Sequence, residues 1–222
     1  LYRVGEQIIE TIRTHLPLNE SAARTRAIEL LTEVGIQGAD QRIDSYPHEF
    51  SGGMRQRVGL ALALCAEPEV VIADGPTTAL DVSIQAQIIQ LLQRLCRDRG
   101  TAVMLITHDM GVIAETAHRV AVMYAGRVAE IGPVREVVKS AHHPYTRGLM
   151  GAIPSLEGTG DRLTQIPGSM PRLSAIPKGC AFNPRCPQVF DRCRIERPDP
   201  IHVDNSDVAC WLAAPQAAEA QR

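Results

Sequence analysis

One stretch, from Tyr46 to Asp81, constrains the fold of this chain of 222 residues more than any other. It reads YPHEFSGGMRQRVGLALALCAEPEVVIADGPTTALD and has three parts in a fixed order. Ser51-Gly52-Gly53 precedes an apolar helical run, a β-branched run ends at Asp74, and a loop leads from Gly75 to the next helix. A short β-branched run of this kind is typical of a buried strand in a parallel sheet. The stretch therefore predicts an α/β fold with a carboxylate at one edge of the sheet.

The first part, Ser51-Gly52-Gly53, has the composition of an anion site. Glycines before a helix allow close backbone approach, and the N–H groups of the first helical turn have no acceptor within the helix. Together with the helix dipole and the Ser51 hydroxyl, these groups can bind a phosphate. The alternative is an ordinary serine N-cap followed by a glycine-rich turn.

The second part places Asp74 where a strand can present a carboxylate to a Mg²⁺-bound nucleotide. The alternative is a core strand with a polar end. A second apolar strand, residues 103–107, ends beside His108. In this order the parts resemble the signature motif and Walker-B strand of ABC-type ATPases, with His108 as the switch histidine and Ala79-Leu80-Asp81 as the D-loop.

The resemblance implies a set of site residues and cofactors. Asp74 and His108 would be catalytic, whereas Ser51, Gly52, Gly53 and Asp81 would bind nucleotide, with ATP and Mg²⁺ as cofactors. The implied fold is part of a P-loop NTPase parallel sheet with a helical subdomain. In ABC transporters that subdomain receives the coupling helix of the membrane subunit.

Gly75 departs from the family pattern, in which a glutamate follows the Walker-B aspartate as general base. Glycine cannot accept a proton, and loss of a general base costs about 10²–10⁴ in rate. In addition, no G-x-x-x-x-G-K-[ST] sequence occurs in the chain. We therefore expect the chain to lack the N-terminal part of the family's domain and to be inactive alone.

The periodicity and composition divide the chain near residue 140. Residues 1–140 are predicted to form the ATPase domain, of which residues 1–66 are mostly a helical subdomain. Residues 141–222 are rich in proline and glycine and are predicted to form a small, irregular, cysteine-containing extension with little core of its own.

The extension resembles the C-terminal extension of oligopeptide/dipeptide importer ATPases. The resemblance rests on HPYTRGLM, IPGSMPRL, GCAFNPRC and VACW in the extension, together with YPHEFSGGMRQR. It implies a peripheral subunit on the cytoplasmic face of a bacterial inner membrane. Its partners would be a second ABC ATPase subunit, transmembrane permease subunits and, indirectly, an extracytoplasmic solute-binding protein. Relatives with this extension also import nickel or glutathione, so the solute stays open.

Four of the six cysteines lie in the extension: Cys180, Cys186, Cys193 and Cys210. Without an export signal a reducing compartment is expected, in which clustered cysteines favour a metal site over disulfides. The spacing lacks the close pair usual for structural zinc, and four thiolates equally suit an iron–sulfur cluster. Some members resembling this extension carry a [4Fe–4S] cluster there. Zinc, free thiols and a disulfide remain the alternatives.

Charge and hydropathy exclude two classes of function. The formal net charge of -2 argues against binding to nucleic acid through phosphate neutralisation. No run approaches the ~18 apolar residues of a membrane span.

The first hypothesis for the function is an ATP-hydrolysing importer subunit that contributes its signature motif to a composite ATP site. The second is a catalytically degenerate nucleotide-sensing or structural partner, or the product of a decaying gene, without turnover of its own.

Overall fold

The computed structural model describes residues 1–78, 81–152 and 165–214. The chain forms two compact units, the first running from Leu1 to His108 and the second beginning at Asp109. No helix in the described ranges is long and apolar enough to cross a membrane. The predicted boundary near residue 140 differs from this division and remains a prediction.

The first unit combines helices α1 to α5 with the strands β1 and β2. Its elements are α1 (Val4–His15), α2 (Glu20–Glu33), α3 (Ala39–Arg42), α4 (Gly52–Leu64), β1 (Val70–Asp74), α5 (Val82–Arg99) and β2 (Ala102–Ile106). Their buried apolar side chains form one core, which includes Ile8, Leu31, Leu64, Val71 and Leu95. The predicted helical run after Gly53 and the predicted strand that ends at Asp74 are present, and the second predicted strand, over residues 103–107, is found at Ala102–Ile106.

Strands β1 and β2 pair in parallel, with Val70 opposite Ala102 and Asp74 opposite Ile106. The helix α5 between them ends at Gly100, whose φ of 67° suits glycine after a helix. One prediction needs correction here, because β1 is buried on one face only. Val71 and Ala73 enter the core, whereas Ile72 is 66% exposed.

The second unit contains a four-stranded antiparallel sheet in the order β3-β4-β6-β5. Its elements are α6 (Met110–Thr116), β3 (Arg119–Tyr124), β4 (Arg127–Pro133), α7 (Val134–Ser140), α8 (Pro144–Gly151), α9 (Asp191–Ile195), β5 (Ile201–Val203) and β6 (Ser206–Val208). Ala125 and Gly126, both with positive φ, form the tight turn between β3 and β4.

The C-terminal extension is less separate than its composition indicates. Strand β6 pairs with β4 through Glu130–Val208 and Ile131–Asp207. Phe182, only 2% exposed, packs in one cluster with Tyr124 and Tyr145. The extension therefore completes a sheet and a core that the preceding hairpin begins.

Candidate functional site

The first candidate site is the N-terminus of α4, where the sequence predicts nucleotide binding. Ser51 is the N-cap, and its Oγ accepts the backbone N–H of Met54 at 3.4 Å. The hydroxyl can still donate its own proton to a ligand. Ser51 and Gly52 are exposed. The structure thus contains both the ordinary N-cap and an accessible helix N-terminus of the kind that binds phosphate.

Two contacts orient α4 within the first unit. Arg57 donates from Nη1 to the Val34 carbonyl oxygen at 2.7 Å and from Nη2 to Gln87 Oε1 at 3.2 Å. A side chain at Gly53 would place its Cβ 3.1 Å from Cγ2 of Ile84 on α5. Any larger residue at position 53 would therefore require the Ile84 side chain to shift by a few tenths of an ångström.

Asp74 and His108 lie at the same end of the β1–β2 pair. Asp74 is the last residue of β1, and His108 follows the end of β2 by two residues. Both side chains are exposed. The parallel register places them at the carboxyl edge, where ligands bind in open α/β sheets. Asp81, also exposed, caps α5, while the adjoining residues 79–80 of the D-loop lie outside the described residues.

Gly75, at the position of the family's general base, has a left-handed backbone with φ of 56°. Its N–H donates to the Ile106 carbonyl oxygen at 2.9 Å, and its carbonyl oxygen accepts the N–H of Thr78 at 3.0 Å. A Cβ at this position would lie 2.7 Å from Thr78 Oγ1. The turn is thus adapted to glycine, and a glutamate would need a different backbone here.

The second candidate site is a cavity lined by Cys180, Cys186, Cys193 and Cys210. Burial, with smaller contributions from the other three thiols, raises the pKa of Cys210 to about 11. Burial also raises the pKa of Cys180 and Cys186. The four thiols are therefore neighbours, as their clustering in the sequence indicates.

The arrangement of these thiols does not match a metal site as it stands. Among the described residues, no three His, Cys, Asp or Glu side chains form a group that could hold a metal ion. The free volume is about 10 Å³, close to the minimum for one water molecule. The donor set by its chemistry suits zinc or an iron–sulfur cluster.

Sequence reasoning missed two further residues near this cavity. His143 lines it and is 3% exposed, and its Nδ1 accepts the N–H of Tyr145 at 3.0 Å. Trp211 also lines the cavity. The sequence contains a signal for Trp211, because this residue adjoins Cys210. The position of His143 near the cavity depends on the fold alone.

Comparisons with known proteins identify two family regions in the chain. The family model described as ABC transporter matches residues 3–78, and the model described as oligopeptide/dipeptide transporter, C-terminal region, matches residues 129–193. A structure titled as the dimeric post-hydrolysis state of the ATP-binding cassette MJ0796 with ADP and Pi has a TM-score of 0.54 and 29% identity. The match covers 61% of this chain and 58% of the chain in that structure. The fold is thus that of an ATP-binding cassette, as predicted.

Curated relatives extend the match over most of the chain. The oligopeptide transport ATP-binding protein AppD of Bacillus subtilis is 46% identical over 97% of this chain and 66% of its own length. The dipeptide transport ATP-binding protein DppD of Escherichia coli is 49% identical over 89% of this chain and 60% of its own length. The chain belongs to the ABC transporter ATPases that carry the oligopeptide/dipeptide transporter C-terminal region. It spans less than two thirds of the length of these relatives.

Proposed function

We propose that the chain acts as part of an ATP-binding and ATP-hydrolysing subunit that energises import of peptides, or a related small solute, by an ABC transporter. The names of the relatives and the match to the C-terminal region support this proposal. Its partners would be a second ATPase subunit and transmembrane permease subunits. A solute-binding protein would act on the opposite side of the membrane. Its place would be the cytoplasmic face of the membrane.

The observation that carries the proposal is the accessible N-terminus of α4. Backbone N–H groups at Gly52 and Gly53, together with the Ser51 hydroxyl, would bind the γ-phosphate of an ATP held by the partner subunit. Preorganised donors of this kind stabilise the charge of a transferring phosphoryl group. The chain would thereby complete its partner's ATP site.

Substitution of Gly52 tests this role in the full-length subunit, reconstituted with its partner and permease. Gly52→Asp places a carboxylate beside the phosphate, and we expect ATPase activity to fall at least tenfold through charge repulsion. The matched control is Gly59→Ala in the same helix. Gly59 is exposed, and a Cβ there meets no atom within 4 Å. Unchanged activity of Gly52→Asp would refute the role of α4.

The runner-up proposal is a subunit whose own ATP site is catalytically degenerate. Gly75, which has no side chain that could act as a general base, supports it. In a pair with a partner that carries the glutamate, His108→Ala would then reduce ATP turnover much less than Gly52→Asp does. Single-turnover hydrolysis in the reconstituted pair measures both variants. Equal damage from the two would show that the chain's own site is active.

We also propose that the four cysteines of the extension bind metal, as an iron–sulfur cluster or alternatively as zinc. Their common cavity and mutual electrostatic interaction support this, whereas the small free volume counts against it. Anaerobic purification followed by iron, sulfide and zinc analysis tests the proposal. Cys210→Ser should lower the metal content, and Cys65→Ser, in the first unit, should not. Absence of metal with four titratable thiols would disprove it.

A further inference from the structure

Asn183 has a buried side-chain amide in the loop that carries two of the four clustered cysteines. It lies between Cys180 and Cys186 in the chain, is 6% exposed and lines the cavity of the four thiols. Its Nδ2 donates to the Lys178 carbonyl oxygen at 2.9 Å and to the Cys180 carbonyl oxygen at 2.7 Å. An amide nitrogen has two protons to donate, so both are used to close the turn around Cys180.

The backbone of Asn183 belongs to the same turn. Its N–H donates to the Cys180 carbonyl oxygen at 2.9 Å, and its carbonyl oxygen accepts the N–H of Cys186 at 3.4 Å. The turn is also connected to the segment of a third cysteine, because the N–H of Cys180 donates to the Cys193 carbonyl oxygen at 2.8 Å. Asn183 therefore determines the geometry of the loop on which Cys180 and Cys186 lie.

The turn directs backbone N–H groups toward the sulfur of Cys180, where those of Phe182 and Asn183 act as hydrogen-bond donors. Three of the four thiols have such a donor two residues later in the chain, namely Phe182 for Cys180, Gln188 for Cys186 and Leu212 for Cys210. A hydrogen bond to the charged form of a group favours that form, and here the charged form is the thiolate that binds metal. Hydrogen bonds to the ligand atoms also orient the ligands and tune the metal.

We propose that Asn183 is a positioning residue for a metal held by the four cysteines. Its side chain fixes the turn that keeps the N–H of Phe182 on the Cys180 sulfur, so that it acts through Cys180 rather than on the metal. This role rests on the proposed binding of metal by the extension. It applies to zinc and to an iron–sulfur cluster alike, because both are bound through thiolates.

The test uses Co²⁺ as the probe, because cobalt bound by thiolates is coloured. The full chain is reduced, stripped of metal and titrated with Co²⁺ under anaerobic conditions, in competition with a chelator. Asn183→Ala should weaken Co²⁺ binding about 10- to 100-fold, the usual cost of losing a partner of a metal ligand. The sulfur-to-cobalt charge-transfer band should also move to longer wavelength, since a hydrogen bond that withdraws charge from the sulfur is lost.

The chain supplies matched variants for this measurement. Asn183→Asp keeps the volume of the side chain but removes its amide donor, so it should weaken Co²⁺ binding as Asn183→Ala does. Asn205→Ala removes an exposed asparagine of the same unit, whose Nδ2 donates to Glu136 Oε1 at 2.9 Å, and should leave the affinity and the band unchanged. Near-ultraviolet circular dichroism of the aromatic cluster around Phe182 shows whether each variant is folded.

A second measurement needs no substitution. In the wild-type chain loaded with a spin-active cadmium isotope, nuclear magnetic resonance should show coupling between the metal and the N–H proton of Phe182, transmitted through the Cys180 sulfur. The N–H of Ala181, which is not among the donors to this thiol, serves as the internal control.

The outcomes separate the role of Asn183 from the metal site itself. The role is refuted if folded Asn183→Ala binds Co²⁺ with the affinity and spectrum of wild type, or if the N–H of Phe182 shows no coupling to cadmium. Either result leaves the metal site intact. A wild-type chain that takes up neither metal would disprove the metal site, and the role of Asn183 with it.

Discussion

At the scale of single residues, His143 shows how burial sets a charge state. Burial lowers its pKa from 6.5 to about 4. The ring is therefore neutral at pH 7, which suits its Nδ1 acceptance of the Tyr145 N–H. In the unfolded chain the same ring takes up a proton as the pH falls through about 6.5.

The pH dependence of stability follows from this difference. Between about pH 6.5 and 4 the unfolded state binds more protons, so the stability of the second unit should decrease as the pH falls. The loss contributed by His143 is at most about 3 kcal/mol. Urea unfolding of the metal-free chain, followed by Trp211 fluorescence at pH 7, 6 and 5, measures it. His143→Asn keeps an acceptor for the helix cap and should flatten the dependence; an unaltered slope would contradict the assignment.

Gly75 is the second residue for which the backbone decides the outcome. A glutamate at this position would supply a carboxylate that could act as a general base. The left-handed φ and the nearby Thr78 Oγ1 make a side chain at this position unfavourable. We expect Gly75→Glu to destabilise the first unit by about 1–2 kcal/mol, as a strained backbone does. Thermal unfolding followed by circular dichroism measures the change. Gly38→Ala serves as a control, since its φ is also positive while no atom lies near a Cβ.

Comparison of Gly75→Glu with Gly38→Ala separates the effect of the backbone angle from the effect of the contact with Thr78. A similar loss in both variants would mean that the backbone angle alone is responsible. A greater loss at Gly75 would show the added effect of Thr78. No loss at Gly75 would contradict the structure of the turn.

At the scale of elements, the junction of β4 and α8 depends on one buried carboxylate. Glu130 is fully buried, and its two carboxylate oxygens accept the N–H groups of His142 and His143 at 2.8 and 3.0 Å. These groups precede α8, so the carboxylate also lies at the positive end of that helix. The junction therefore fixes where α8 begins relative to the sheet.

Glu130→Ala should destabilise the second unit by roughly 2–4 kcal/mol, since one buried and one partly buried N–H group lose their acceptor. Glu130→Gln retains one acceptor oxygen and should lose less. Glu115→Ala, which removes an exposed carboxylate on α6, should change little. Chemical unfolding followed by Trp211 fluorescence compares the three variants. Equal stabilities of Glu130→Ala and wild type would exclude the structural role of this carboxylate.

At the scale of the whole molecule, each unit has apolar cores of its own. Leu31 of the first unit is fully buried. Leu31→Ala should destabilise that unit by about 2–5 kcal/mol through loss of buried surface and a residual cavity. The control is Glu29→Ala on the same helix, where the side chain is exposed. Far-ultraviolet circular dichroism follows the helices of the first unit, and an unshifted transition in Leu31→Ala would contradict the assigned core.

The sequence by itself determined the local structure and the family. The apolar run after Gly53 predicted α4, and the β-branched run predicted the strand that ends at Asp74, because such patterns depend on local residue composition. The motif around Ser51 and the tail sequences predicted the ABC ATPase family with its peptide-transporter region. Residue order alone is sufficient for such inferences.

The tertiary structure decided what depends on backbone angles and on contacts between distant segments. Alternation along β4 does not predict that Glu130 is buried. A register shift between Val122 and Met123, opposite Ala129, changes which residues of β4 face the core. The sequence shows that Gly75 lacks the general base of the family, and only the structure shows that its left-handed φ belongs to a turn adapted to glycine. The stacking of Arg192 on Trp211 joins residues separated by a hairpin, and only the folded chain brings them together.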